Sequence, residues 1–446
     1  MTNTHKAPRR RFFIFFLIML IVLLNYVDRG SIAYVANSIM GEYGFNHAQW
    51  GGVLGFFGYG YLLGALLGGF MADKFGPKKI WLIAALSWSV MITLTAFAGD
   101  IGLYLMGGSA LLGFATIRIL FGLAEGPAYS LINKSISNWA TPKERAFVVS
   151  LGLVSTPIGA LLTAPTAIGL QQLTGGWRSM FVIIGILSLV ILFVFLKYFT
   201  NTPKENGFIS EQEKEYLEKQ AASNFVETDQ GSETRSVAWW EFFKSKTLIC
   251  NAIGYFSFVY VTFFLLTWTP KYFQDQFSVN LSSLWYIGMI PWVGACFTVV
   301  LGGRLSDWIL EKTKNLVYAR SYLGAACLFG STLCFYSVSV AQNIWVAIAL
   351  IALANAINSL CNSVFWTVVI DTAPKSRVGA FSGMTHAIAN CGAIIAPTLS
   401  GYLTLNYGYS SIFAATSAVT AIGMISMLLV RPGIFVKSKS PVLQEA

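Results

Sequence analysis

Apolar runs long enough to cross a bilayer recur along almost the whole chain, and this repetition limits what it can fold into. A hydrocarbon core about 30 Å thick takes roughly twenty helical residues. Backbone polar groups inside it must pair with one another, which leaves only helices or closed barrels. The runs here are much longer than barrel strands, so the chain is expected to be all-α. Charged residues make up 11% of the 446, against roughly 25% in soluble proteins. The first run, Phe12 to Leu24, follows Lys6, Arg9, Arg10 and Arg11 as the apolar part of a secretion signal would. It continues through Asn25, Tyr26, Asp28 and Arg29 without a small-residue cleavage site, so it is taken as a first span.

Hydropathy and polar breaks place twelve spans near 12–36, 48–72, 78–98, 103–131, 144–170, 177–199, 246–268, 281–304, 319–338, 342–370, 377–404 and 408–430. Arg29 and Arg118 fall inside spans; of the other Lys and Arg, 26 sit on alternate connections and only Arg178 and Lys271 on the rest. Basic short loops are retained in the cytoplasm, so both termini are expected there, in an inner (plasma) membrane. The net charge of +10 thus follows membrane topology, and no nucleic-acid partner is expected. The six cysteines all lie in the second half, without a C-x-x-C pair or a His-rich pattern, so no metal, cofactor or redox role is assigned. No Ser/His/Asp constellation and no nucleotide-binding loop occurs, and catalytic residues are not expected.

The polar stretch 200–245 divides the spans into an N-terminal six-helix bundle, residues 1–199, and a C-terminal one, residues 246–446. Within the stretch, Ser210 to Gln220 predicts a surface helix N-capped by Ser210, part of a solvated cytoplasmic linker. An internal repeat supports the division. Thr141-Pro142-Lys143-Glu144-Arg145 reappears as Ala373-Pro374-Lys375-Ser376-Arg377, and Gly176-Trp177 as Gly408-Tyr409, both at an offset of 232. Gly69-x-x-x-Asp73 reappears as Gly303-x-x-x-Asp307 at an offset of 234. The expected architecture is a polytopic membrane protein of two pseudo-symmetric six-helix bundles, with a binding site midway between them.

At these residues the chain resembles transporters of the major facilitator superfamily. Gly69-Phe-Met-Ala-Asp73-Lys74-Phe-Gly76-Pro-Lys78-Lys79 is similar to that superfamily's signature loop. The resemblance makes Gly69 a point of close helix approach and Asp73 a latch across the cytoplasmic seam. Lys74, Asp307, Arg145 and Arg377 complete the expected gating set, and the second copy is weaker because Trp308 stands where a basic residue is usual. Within the superfamily, Asn25-Tyr26-Val-Asp28-Arg29 and Arg118-x-x-x-Gly122-x-x-Glu125-Gly126-Pro127 resemble the anion:cation symporter family. That resemblance implies proton-coupled uptake of a small organic anion, in bacterial members typically a sugar acid such as galactonate, glucarate or a hexuronate, by a monomer embedded in the lipid bilayer.

The residues themselves point the same way. Asp28, Arg29, Arg118 and Glu125 are the ionisable groups deep in spans, where each costs at least roughly 2.5 to 3.5 kcal/mol and normally serves a function. Arg29 and Arg118 suit a carboxylate, which an arginine grips with two parallel hydrogen bonds. Asp28 and Glu125 suit protons, because desolvation favours the neutral acid and a nearby arginine favours the anion. The alternative is a set of fixed ion pairs between the first and fourth helices. Tyr26 and Tyr61 are expected beside the arginines. The second half offers neutral groups: Asn355, Asn358, Asn362, Ser363 and Trp366 on the tenth helix, His386 and Asn390 on the eleventh, with Tyr255 and Tyr260 as weaker candidates. Asn362, Ser363, Trp366, His386 and Asn390 are assigned to the substrate wall. His386 and Phe365 replace polar residues usual in sugar-acid members, which admits a less hydroxylated or aromatic acid. The rival function is a proton-driven exporter of drugs or metabolites, whose Gly-Pro-Gly-Gly cluster Ser155-Thr156-Pro157-Ile158-Gly159 matches only in part.

Overall fold

The computed structural model describes residues 9–228, 238–374 and 377–435, and the backbone alone at 142–143, 145–146 and 221–228. Lys375 and Ser376 of the repeat, and the side chain of Arg145, lie outside the described residues. Among the described residues, twelve helices are long and apolar enough to cross a membrane: α1 (Arg11–Tyr34), α2 (His47–Phe75), α3 (Pro77–Thr95), α4 (Ala110–Trp139), α5 (Phe147–Thr174), α6 (Trp177–Tyr198), α7 (Lys246–Phe277), α8 (Leu281–Thr313), α9 (Val317–Ser339), α10 (Ile344–Thr372), α11 (Val378–Tyr407) and α12 (Tyr409–Leu428).

The order agrees with the expected spans, but α4 is displaced, starting at Ala110 instead of near residue 103. A short helix, Ala98–Leu105, closes on Gly107 and Gly108, whose φ of 70° and 79° glycine adopts without steric cost. Ser109 then caps the new helix by accepting from the Leu112 amide. α4 is interrupted at Gly126-Pro127, where proline lacks the amide hydrogen that a continuous helix needs. α10 is interrupted likewise at Cys361. α7 and α8 extend to Phe277 and Thr313, past the apolar windows, because their polar ends run beyond the hydrocarbon.

Glycines set how closely the helices approach. A Cβ on Gly60 or Gly64 would collide with the backbone of α4 at Ile119 or Leu123, and one on Gly122 with the α2 backbone at Phe57. On Gly68 it would sit 2.5 Å from the Pro127 Cα, whereas on Gly69 it would meet Ser130 at an ordinary 3.7 Å. The close approach expected of Gly69 therefore belongs to Gly60, Gly64 and Gly68. Between the bundles, Gly51 lies against Pro397 and Gly401, so α2 and α11 pack backbone to backbone.

The bundles are also joined by polar contacts at the end away from the 200–245 segment. Lys271 Nζ donates to Asn37 Oδ1 at 2.6 Å, and Asn37 Nδ2 to Gln274 Oε1 at 3.0 Å. Asp275 takes Tyr409 at 2.5 Å, Lys271 at 2.9 Å and His47 at 3.3 Å. Nearby in the first bundle, hydrogen bonds from Arg178 hold the Glu42 carboxyl below the usual carboxylate range.

The segment after α6 departs from the expected solvated linker. Ser210 does cap a helix, Glu211–Thr228, accepting from the Glu213 amide at 3.3 Å. Glu213, however, is fully buried: its carboxylate accepts from the amides of Arg10 and Arg11 at 3.1 and 3.2 Å and pairs with the Arg11 side chain at 2.6 Å. The same arginine reaches Glu144, ahead of α5, at 2.6 Å. An acidic group at the first turn of α1 satisfies amides that helix geometry leaves open and complements the helix dipole. The polar run looked solvated because such a docking contact, more than two hundred residues away in sequence, leaves no local pattern.

Candidate transport site

The polar turn of α1 delivers three groups to the interior. Asp28, Arg29, Arg118 and Glu125 are all buried, none more than 3% exposed. Arg29 Nε donates to Glu125 Oε2 at 2.5 Å, joining α1 to α4. The guanidinium carbon of Arg29 lies 4.6 Å from the Tyr61 ring centre and 5.2 Å from those of Tyr26 and Phe57. Arg118 stands one ring away, 5.1 Å from Phe57 and 5.5 Å from Phe121. The close α2/α4 seam accounts for this cage: with Gly60 against the α4 backbone and Gly122 against the α2 backbone, Phe57 lies between the two arginines and Tyr61 against Arg29. Asp28 points elsewhere, towards α6, where Ser188 Oγ donates to it at 3.5 Å.

The alternative arrangement of fixed ion pairs is thus half present. Arg29 and Glu125 pair, while Arg118 Nε and Nη1, Arg29 Nη2, Glu125 Oε1 and Asp28 Oδ1 are buried without a hydrogen-bond partner. A buried polar group left unmet costs about 1 to 3 kcal/mol, and more if charged. A constellation with this many open donors and acceptors is built to receive something polar.

Tyr129 was not singled out in the sequence, although it follows Glu125 by one helical turn, the spacing that puts two side chains on one face. Its hydroxyl lies 3.3 Å from that of Tyr26 and 3.1 Å from Thr156 Oγ1, and its ring centre lies 6.2 Å from His386 on α11. It therefore links the arginine cage to the second bundle. There, His386 is surrounded by Trp366 at 5.6 Å and Tyr255 at 6.0 Å, and Tyr255 stacks on Phe365 at 5.2 Å.

The neutral side chains of α10 divide. Asn355 and Asn358 donate to the Pro291 and Phe258 carbonyls, at 2.9 and 3.3 Å, and so tie α10 to α8 and α7. Asn390 donates to the His386 carbonyl at 2.8 Å. Asn362 keeps an unpartnered Oδ1, and Ser363 sits on the α8 seam, 3.7 Å from where a Gly303 Cβ would be. Tyr260 lies against Gly392 of α11. Of the gating set, Asp73, Lys74 and Asp307 make contacts within their own bundles. Asp73 pairs with Lys134 of its own bundle at 2.8 Å, and Lys74 lies 5.3 Å from the Phe75 ring. Asp307 pairs with Arg320 at 3.4 Å, and Arg320 with Asp371 at 3.1 Å, again within one bundle. Arg377 starts α11 beside the same end.

Two six-helix bundles enclosing charged groups at mid-depth make the architecture of a membrane transporter. Residues 18–386 and 317–444 match the Major Facilitator Superfamily, and the chain belongs to that family. It is similar to a hexuronate transporter of Bacillus subtilis (strain 168), 28% identical over 414 residues and 92% of each chain. A D-galactonate transporter of Escherichia coli O6:H1 is 26% identical over 432 residues, 96% of this chain and 97% of that one. A probable sulfoacetate transporter of Cupriavidus necator is 26% identical over 420 residues, 94% and 93% of the two chains. Among solved structures, a D-xylose-proton symporter superposes with a TM-score of 0.70 at 18% identity, covering 95% of this chain and 99% of that one. A bacterial homologue of the human lysosomal transporter Spinster gives 0.71 at 16% identity and 95% coverage of both. These structures share the fold, and the chain is a transporter, not an enzyme.

Proposed function

We propose that the protein takes up a small organic carboxylate together with protons, by alternating access across the cell's inner membrane. The observation that carries this reading is the buried Arg29–Glu125 pair beside an Arg118 with open N–H groups. An incoming carboxylate satisfies Arg118 and competes with Glu125 for Arg29. A carboxylate stripped of its arginine in a dry site keeps its charge only at high cost, so Glu125 is relieved by taking a proton. Anion and proton then favour each other's binding. Asp28, held by Ser188 alone, is the second proton carrier. The hub at Asp275 ties the bundles together at the end away from the 200–245 segment, which supports a form shut on that side, with the termini on the cytoplasmic side as the basic loops require. Relatives named for hexuronate and galactonate support a carboxylate of sugar-acid size as the cargo.

The test is uptake into proteoliposomes under an inward proton gradient, with counterflow measured alongside. In Glu125→Gln, accumulation driven by the gradient disappears while counterflow persists. Gradient-driven accumulation surviving in both Glu125→Gln and Asp28→Asn defeats the coupling scheme, and outward movement of carboxylate against inward protons defeats uptake.

A further inference from the structure

The wall that the second bundle turns towards the arginine cage is mainly aromatic, and several of the amide donors that would serve a hydroxylated chain are already used. Asn355, Asn358 and Asn390 donate to backbone carbonyls, and Asn251 does so to Phe365 at 2.9 Å. Tyr129, Trp366 and His386 are partly uncovered, as are Asn362 and Ser363. Trp366 and His386 are tilted by only 33°, so these two rings present nearly aligned faces, while Tyr129 stands at 61° to His386 and Tyr255 at 67° to Trp366, edge-on to that pair. Among the described residues of this wall, three polar atoms are buried without a partner: His386 Nε2, Asn362 Oδ1 and Ser363 Oγ.

Resting on the carboxylate reading above, we infer that the cargo carries a flat aryl or conjugated group, which lies against Trp366, His386 and Tyr129 while its carboxylate engages Arg29 and Arg118. The spacing suits one ring. The Tyr26 and Tyr129 hydroxyls, 3.3 Å apart, put the anion cage and the aromatic box in direct contact, so a short acid bridges them. A flat group stacks on such faces without needing hydrogen bonds. Each hydroxyl of a sugar acid placed there without a partner weakens binding by roughly fivefold or more. His386 Nε2 accommodates at most one polar substituent on the ring.

The experiment is calorimetric titration of the purified full chain with benzoate, phenylacetate and cinnamate, against galactonate and glucarate, with benzamide as the uncharged control. The aryl carboxylates are expected to bind at least about tenfold more tightly than galactonate, and benzamide to show no binding because it brings no charge to the arginines. Trp366→Leu is expected to weaken the aryl acids by about threefold to tenfold without changing the affinity for galactonate. His386→Asn, which restores an amide to the wall, is expected to move the preference towards galactonate and serves if the Trp366 variant does not fold. Galactonate or glucarate binding as tightly as the aryl acids overturns this inference and leaves the carboxylate reading standing. Failure of every acid of both sets to bind overturns both.

Discussion

Arg118 and Arg29 are both buried guanidiniums, yet they stand in opposite energetic positions. Arg29 is paired with Glu125, whereas Arg118 Nε and Nη1 meet no acceptor among the described residues. Replacing an unpaired buried charge by an apolar side chain of similar volume removes a desolvation cost, while removing one member of a buried pair strands the other, at roughly 3 to 5 kcal/mol. Arg118→Met is therefore expected to raise the unliganded unfolding temperature and abolish carboxylate binding. Arg29→Met is expected to lower that temperature, and Glu125→Gln added to it to recover part of the loss. Differential scanning calorimetry of the three variants reads both signs; a lowered midpoint for Arg118→Met refutes the view of Arg118 as a site held open for ligand. At this scale the sequence showed which ionisable groups lie in the interior, because charged side chains in apolar spans are conspicuous. It did not show that Arg29 takes Glu125, a contact across 96 residues, or that Asp28 turns to Ser188 instead.

Helices carry the site, and α2 and α4 carry most of it through glycine contacts. Gly60→Ala forces a methyl into the Ile119 carbonyl and pushes α2 off α4, displacing Phe57 and Tyr61 from the arginines. Gly69→Ala meets only Ser130 at 3.7 Å. Transport is expected to fall at least about tenfold in Gly60→Ala, with a lower unfolding temperature, and to stay within about twofold of the parent in Gly69→Ala. Equal transport by the two variants refutes the assignment of the close approach to Gly60. The helices themselves were legible from hydropathy, since few other structures satisfy twenty apolar residues in lipid. Their ends were not: α4 was placed several residues early because its start depends on the left-handed Gly107 and Gly108, which a hydropathy window does not register. The same displacement hid Tyr129, which fell within the expected end of that span and not at mid-depth.

For the molecule as a whole, the repeat was legible because three landmarks kept almost one offset, and the two copies meet their neighbours alike: Gly69 faces Ser130 as Gly303 faces Ser363. The far-end closure was not, since Asp275, paired with Lys271 one turn back on α7, gathers His47 and Tyr409 from positions unrelated in sequence. Asp275→Asn weakens that hub, and its partial exposure limits the effect to about threefold to tenfold in the balance between end-open and end-closed forms. Spin labels at Gly41 and Asn406 are expected to gain a longer-distance population; an unchanged distribution shows that backbone packing of α2 on α11 alone holds that end shut. A last consequence follows from Arg29, Arg118, Asp28 and Glu125 all riding in one bundle. Two positive and two negative groups cancel, and a monovalent anion loaded with a proton on both Glu125 and Asp28 leaves one positive charge on the transported assembly. Membrane voltage acts at about 2.3 kcal/mol per charge per 100 mV, so uptake of a monoanion is expected to be accelerated by an inside-negative potassium diffusion potential set with valinomycin, whereas indifference to that potential means that a single proton travels per cycle.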